Sequence, residues 1–219
     1  MLVLASSLLM MTAIAQKNSN QPPTPATADT AKPKKPAGGI TDKIKSSKKI
    51  EGLFTIYQDT ATGSVQLYIK KDQLGKEYIY QSFSISGPNQ FFLNQSMHRS
   101  TAVFKIQKSF DKLEFAEVNT AFYYDPSNAV SKTANVDKPE AVIYAEKYTE
   151  DSAGYLISAD GFFVSEKLDP VKPTAAPGQS PIRFTLGNLN PGKSKYSDIR
   201  SFPNNTDVVV DLAYDNPNP

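Results

Sequence analysis

From Ile50 onward, apolar residues recur at every second position in short runs separated by turn residues. In "LFTIYQDTATGSVQLYIKKDQLGKEYIYQSFSIS", Phe54 and Ile56 alternate with Thr55 and Tyr57, and Val65, Leu67 and Ile69 with Gln66, Tyr68 and Lys70. Ile79, Gln81, Phe83 and Ile85 continue the period of two. Asp59–Gly63 and the stretch ending near Gly75 carry turn chemistry. The pattern predicts an antiparallel meander with one solvated face. Gly87-Pro88-Asn89 interrupts it, and a polar loop runs on through Asn94 to Ser100. A hairpin is then expected, with Ala102, Phe104 and Ile106 leading in, a turn at Ser109–Lys112, and Leu113 and Phe115 leading out.

The next stretch switches period. In "DKPEAVIYAEKYTED", Asp137 and Glu140 have capping-box spacing, Pro139 falls in a first turn, and Ala141, Tyr144, Ala145 and Tyr148 share one helical face. An amphipathic helix ending near Gly154 is predicted. "YLISADGFFVSE" resembles two short strands around Asp160-Gly161, and the four prolines of "LDPVKPTAAPGQSP" mark a surface excursion. "IRFTL" and "VVVDLAY" read as strands. Val208, Val210 and Leu212 form an apolar row for which the sequence offers no partner. The terminal Asn-Pro-Asn-Pro is expected to be a loop leading to further chain. The fold class predicted is mainly β: antiparallel meander and hairpin sheets packed with one amphipathic helix, with α+β as the near alternative.

The N-terminus does not share this texture. Leu2 to Ile14 is uncharged and mostly apolar, and Ala13-Ile14-Ala15 is a small-x-small cleavage signal before Gln16. Residues 1–15 are therefore expected to be a secretory signal peptide, too short for a membrane span and lacking the usual preceding Lys or Arg. Residues 16–49 hold five Pro, eight Lys, two Asp and no aromatic residue. Such a segment buries too little apolar surface to offset its ordering entropy and is expected to be a disordered tether. Residues 50–219 are left as one β-rich domain, expected to be incomplete at its C-terminal end.

Charge then reads differently in the two parts. The chain of 219 residues carries a formal net charge of +2, but the tether alone holds +6. Residues 50–219 keep sixteen basic and twenty acidic groups, a balance of −4. A nucleic-acid partner is not expected, because that needs Lys and Arg on the folded surface. No membrane span is expected after signal cleavage. With no Cys, the chain has no disulfides, thiolate metal sites or cysteine nucleophile.

Three patterns invite chemistry. Gly187, Gly192, Lys193 and Ser194 match the phosphate-loop spacing G-x-x-x-x-G-K-[ST]. That loop needs a buried parallel strand before it, a long helix after it and converging backbone N–H groups. Pro191 removes one donor and Pro203 stops any following helix early, so a Gly/Asn/Pro loop is expected. His98 is the sole imidazole; as a hydrolase base it would need a nucleophile such as Ser96 or Ser100, and no G-x-S-x-G elbow is present. One His is too few for a zinc site within this chain. Paired carboxylates stay open, because their spacing is spatial. The site assignment is therefore none: no catalytic, cofactor-binding or metal residue, and no cofactor in this chain.

"EGLFTIYQD" with "SVQLYIKKDQLGKEYIYQSFSIS" is similar to the opening of a family of exported bacterial zinc-dependent metalloproteases, and "VDKPEAVIYAEKYTEDSAGYLISADGFFVSEKL" and "KYSDIRSFPNNTDVVVDLAYDNPNP" look like later parts of the same upstream region. The resemblance covers Lys49 to Pro219. It implies a β-rich region of unknown function ahead of a zincin catalytic domain with a His-Glu-x-x-His motif. The zinc ligands and general-base Glu of that family have no counterpart here, so whether this chain is enzymatic stays open and no residue inherits a catalytic role. The resemblance implies an exported (periplasmic, cell-surface or secreted) non-catalytic accessory region that supports or covers a downstream catalytic domain of the same polypeptide, where the zinc would be bound. The alternative is a free-standing β-sheet module for glycan or peptide, using Tyr68, Tyr78 and Tyr80.

Overall fold

The alternating runs become strands, and eight of them join one sheet. The computed structural model describes residues 38–88, 91, 93–123, 125, 127–129, 131–134, 140–171, 177–178 and 186–215, all within the unit Ala37–Pro219. The proposed signal peptide, most of the tether, the capping residues Asp137 and Pro139, and nearly all of "IRFTL" lie outside the described residues. The sheet comprises β1 (Ser47–Ile50), β2 (Thr55–Asp59), β3 (Val65–Lys70), β4 (Glu77–Ser84), β5 (Met97–Ser109), β6 (Lys112–Glu117), β7 (Ala141–Glu150) and β8 (Gly154–Ser158). Its order is β1-β2-β3-β8-β7-β6-β5-β4, antiparallel throughout. The chain is thus mainly β.

The sheet curls. The rings of Phe54 and Tyr78, from opposite ends of the strand order, lie 4.9 Å apart. Inside the curl, Ile56, Val65, Leu67, Ile69, Ile106, Leu113, Phe115 and Ile157 are essentially inaccessible. Phe115 sits at the centre of an aromatic chain through Phe104, Tyr144 and Phe162, with centroids 4.7–5.9 Å apart. Such tilted rings fill volume that aliphatic side chains alone would leave open.

The predicted helix is a correction. Residues 141–150 form strand β7, paired to β6 from Ala141 to Lys147 and to β8 from Tyr148 to Glu150. The helical face would have held two alanines and two tyrosines, whereas Val142, Ile143, Tyr144, Tyr148 and Thr149 suit a pleated surface. As a strand, the segment also links the two halves of the sheet. Glu140, read as a cap partner, instead bridges to Lys105 at 2.6 Å. "YLISADGFFVSE" is also corrected: after β8 comes one helical turn, α3 (Asp160–Phe163), which drops Phe162 into the core. Other single turns are α1 (Ile40–Lys43) and α2 (Ser131–Ala134).

The tether boundary moves as well. Ile40 is buried and β1 pairs Ser47–Ile50 with Asp59–Ile56, so residues 38–49 belong to the folded unit. Adding Lys43, Lys45, Lys48, Lys49 and Asp42 to residues 50–219 gives twenty basic and twenty-one acidic groups, so the unit is close to neutral. The facing of β4 is inverted too. The row Ile79, Phe83, Ile85 turns outward, with Ile79 73% exposed, while Tyr78 and Tyr80 pack against the core.

The strand read as unpartnered has a partner. β10 (Lys195–Phe202) and β11 (Asn205–Asp211) form a hairpin whose Tyr196, Ile199 and Val208 pack on the main core. The hairpin is sewn to the segment before β2: Leu53 N–H donates to the Phe202 carbonyl at 2.6 Å, and Ser201 Oγ donates to the Phe54 carbonyl at 2.9 Å. Gly52 is needed there, because a Cβ would stand 2.6 Å from the Phe202 nitrogen. β9 (Asn188–Leu189) pairs with β12 (Tyr214–Asp215) beside it.

Candidate functional site

The phosphate-loop match resolves into a closed turn between β9 and β10. The N–H groups that would cradle a phosphate are engaged by one residue: Gly192 donates to Asn190 Oδ1 at 3.0 Å, and Lys193 and Ser194 donate to the Asn190 carbonyl at 3.1 Å. Lys193 Nζ is paired with Asp215 Oδ1 at 2.6 Å. Ser194 Oγ donates to the Asn190 carbonyl and accepts from the Ala213 amide. The loop is a clip holding β12, and no donor array is left for an anion.

His98 lies exposed on β5. Its Nε2 is 2.8 Å from Thr101 Oγ1, and its ring meets Phe83 edge-on at 5.4 Å. Neither Ser96 nor Ser100 is its hydrogen-bond partner among the described residues. No group of three or more His, Asp or Glu side chains comes together as a metal site among the described residues. No helix of the described residues is long and apolar enough to cross a membrane.

One long-range polar constellation has no counterpart in the sequence motifs. It gathers where the segment after β8, residues 160–171, meets β5, β10 and β12. Asp160 Oδ1 accepts from the Tyr196 hydroxyl at 2.9 Å and from the Val65 amide at 2.8 Å. Glu166 Oε1 accepts from the Tyr214 hydroxyl at 3.0 Å and the Val171 amide at 3.3 Å. Arg99 Nε bridges to Asp169 Oδ2 at 2.8 Å with both side chains largely covered, and the guanidinium also donates to the Pro170 carbonyl. Tyr144 donates to Glu146 at 2.9 Å, and Lys167 stands 4.6 Å from its ring centroid. Burial first, and then the neighbouring carboxylates, push the Tyr144, Tyr196 and Tyr214 phenols well above their usual range. They are held protonated as donors. A phenol so held is no nucleophile or base near neutral pH, and the facing carboxylates already have partners. The arrangement fastens the 160–171 segment to the sheet and hairpin. These pairs span sequence separations of 36, 48 and 70 residues. No local sequence signal marks them.

The tyrosines proposed as a ligand platform are occupied too. Tyr68 donates to Asp151 Oδ1 at 2.8 Å and Tyr78 to the Gln73 carbonyl at 3.1 Å, and Tyr78 and Tyr80 pack on the core. What the surface presents instead is apolar. Phe110, at the β5–β6 hairpin tip, is 96% exposed with φ 51°, and Ile79, Phe83 and Ile85 line the outer face at β4. Comparison of the chain with protein-family models, with curated proteins and with solved structures finds no match.

Proposed function

We propose that this chain is the non-catalytic, β-rich accessory region of an exported zinc-dependent metalloprotease, and that it packs on a downstream catalytic domain of the same polypeptide, where the zinc is bound. Two things support the reading: the resemblance over Lys49–Pro219, and the hairpin tip. Phe110 is the observation that carries the docking. A non-glycine residue in the left-handed region is strained by about 1–2 kcal/mol. A fully exposed phenylalanine at that position gains nothing in the isolated unit. Tyr148 nevertheless fixes the tip by donating to the Phe110 carbonyl at 3.1 Å. An exposed aromatic ring carried on a backbone fixed in this way is the kind of side chain that anchors a protein–protein contact. The role is structural: the accessory region supports the catalytic domain or covers its cleft.

The test begins with the reading frame. An in-frame His-Glu-x-x-His downstream is expected, and its absence sinks the proposal. In the longer polypeptide, Phe110→Asp should separate one cooperative melting transition into two while leaving the melting of the accessory unit unchanged. A single unaltered transition would remove Phe110 from the contact.

A further inference from the structure

We propose that β4 is a homodimerisation edge. Two copies of this chain join their β4 strands antiparallel about a two-fold axis at Gln81, setting Ile79 of each copy against Phe83 of the other and continuing one sheet into the next.

β4 ends the strand order, and among the described residues its backbone pairs only with β5. Free edges are normally blunted by shortness, charge, proline or bulges. The opposite edge of the same sheet obeys that rule: β1 is four residues long, and two of them are Lys. β4 does not. It is eight residues long, and from Tyr78 to Ser86 it carries no charge and no proline. The one irregularity in its pairing leaves β4 itself unbroken. Ser82 faces Ser100 and Phe83 faces His98, so the extra residue is Arg99 on β5. The outer face adds an apolar stripe, with Ile79 73%, Phe83 55% and Ile85 57% exposed.

A second copy is the occupant because the strand is complementary to itself. Directly opposed residues of an antiparallel pair share a face. With Gln81 opposite its own copy, Ile79 meets Phe83 twice on the outer face, and the two Gln81 amides can bond across the axis. On the inner face Tyr78 meets Ser84 and Tyr80 meets Ser82, a large residue against a small one each time. The register shifted by two instead sets Ile79 against Gln81, Glu77 against Phe83 and Tyr80 against Tyr80, so the apolar residues of the outer face no longer meet each other. Symmetric association through one self-complementary patch is the commonest form of oligomer.

The chain has no cysteine, which makes disulfide trapping clean. Paired Cα atoms across an antiparallel ladder lie within disulfide reach. In the full chain, Gln81→Cys should form a cross-linked dimer under mild oxidation. Ile79→Cys and Phe83→Cys should each stay single-chain, yet give a cross-linked pair when mixed. Asp111→Cys, at the far hairpin tip, is the control. Sedimentation of the unmodified chain should shift from one-chain to two-chain mass as concentration rises, and Phe83→Lys should abolish the shift. A folded single-chain species at every concentration overturns the proposal. So does Gln81→Cys linking no faster than Asp111→Cys, or Ile79→Cys linking alone as well as in the mixture. The cysteine series stands even if Phe83→Lys fails to fold, and none of these outcomes depends on a downstream catalytic domain.

Discussion

Asp160→Ala should be among the most damaging single changes outside the apolar core. One carboxylate oxygen accepts both the Val65 amide, at 2.8 Å, and the Tyr196 hydroxyl, at 2.9 Å. Val65 is fully buried and Tyr196 packs on the core, so water cannot readily replace the lost acceptor. A buried donor left without a partner costs about 1–3 kcal/mol, so the two together cost about 2–6 kcal/mol. For a unit of this size each kcal/mol lowers Tm by about 2–4 °C, giving a fall of roughly 4–24 °C. Tyr196→Phe removes one donor and leaves the carboxylate with Val65, so it should cost only about 1–2 kcal/mol. The decisive measurement is a double-mutant cycle followed by urea melts. In the Asp160→Ala background, Tyr196→Phe should cost nothing or restore stability, a coupling of about 1–2 kcal/mol. Asp160→Asn keeps an acceptor oxygen and should fall between wild type and alanine. The reasoning fails if Tyr196→Phe costs the same in both backgrounds, or if Asp160→Ala costs less than about 0.5 kcal/mol, as an ordinary surface change would.

Phe115→Ala empties the meeting point of the rings of Phe104, Tyr144 and Phe162 and should cost about 3–5 kcal/mol in chemical denaturation, with a small loss pointing to a core that collapses around it. Gly154→Ala should lower Tm, although such changes often stabilise by about 0.4–1 kcal/mol, because the new Cβ would lie 2.4 Å from the Ile69 carbonyl oxygen; a raised Tm would show that β3 and β8 can separate there. Hydrogen bonds from Ser46, then from the Thr62 and Ala61 groups, hold the Asp59 carboxyl down to about 2 from its usual 3.8. That contribution is complete above pH 3.8 and lost as pH falls through 2, so the stability gap between wild type and Asp59→Ala should close over that window. Burial and then Asp151 push the Tyr68 phenol up to about 12 from 10, the opposite sign: the gap to Tyr68→Phe should hold below pH 10 and narrow as pH rises through 12.

Period-two patterning carried the strands whose inward residues are plainly apolar. Val65, Leu67 and Ile69 are buried as they alternate, and the hairpin turning at Ser109–Lys112 sets Ile106 opposite Phe115, with Phe104 and Leu113 buried on its two strands. The same logic inverted β4. There the inward positions hold Tyr78 and Tyr80, amphipathic rings that the pattern counts as polar, and the isoleucines face out. It also misassigned β7, because Ala141, Tyr144, Ala145 and Tyr148 satisfy a helical stripe while Val142, Tyr144, Glu146 and Tyr148 satisfy a pleat. A local pattern does not say which neighbours are waiting, and unpaired edges of β6 and β8 decide for the strand.

By itself, then, the sequence determined the β-rich class, the hairpin turns, and the failure of "GNLNPGKS" as a phosphate loop. Those rest on residues close together in the chain: alternation, Asp59 in its turn, and Pro191 lacking a donor. Only the tertiary structure decided that the Val208 row has a partner, that Ile40 and Ser47–Ile50 belong to the fold, and that Asp160, Glu166 and Asp169 receive Tyr196, Tyr214 and Arg99. It also decided that β4 is left as an open edge with an apolar face. The long-range contacts among these go with a curled sheet that brings Phe54 against Tyr78 and residues tens of positions apart within hydrogen-bonding reach. That closure is a property of eight strands packing together around shared rings, and no single stretch of the chain encodes it.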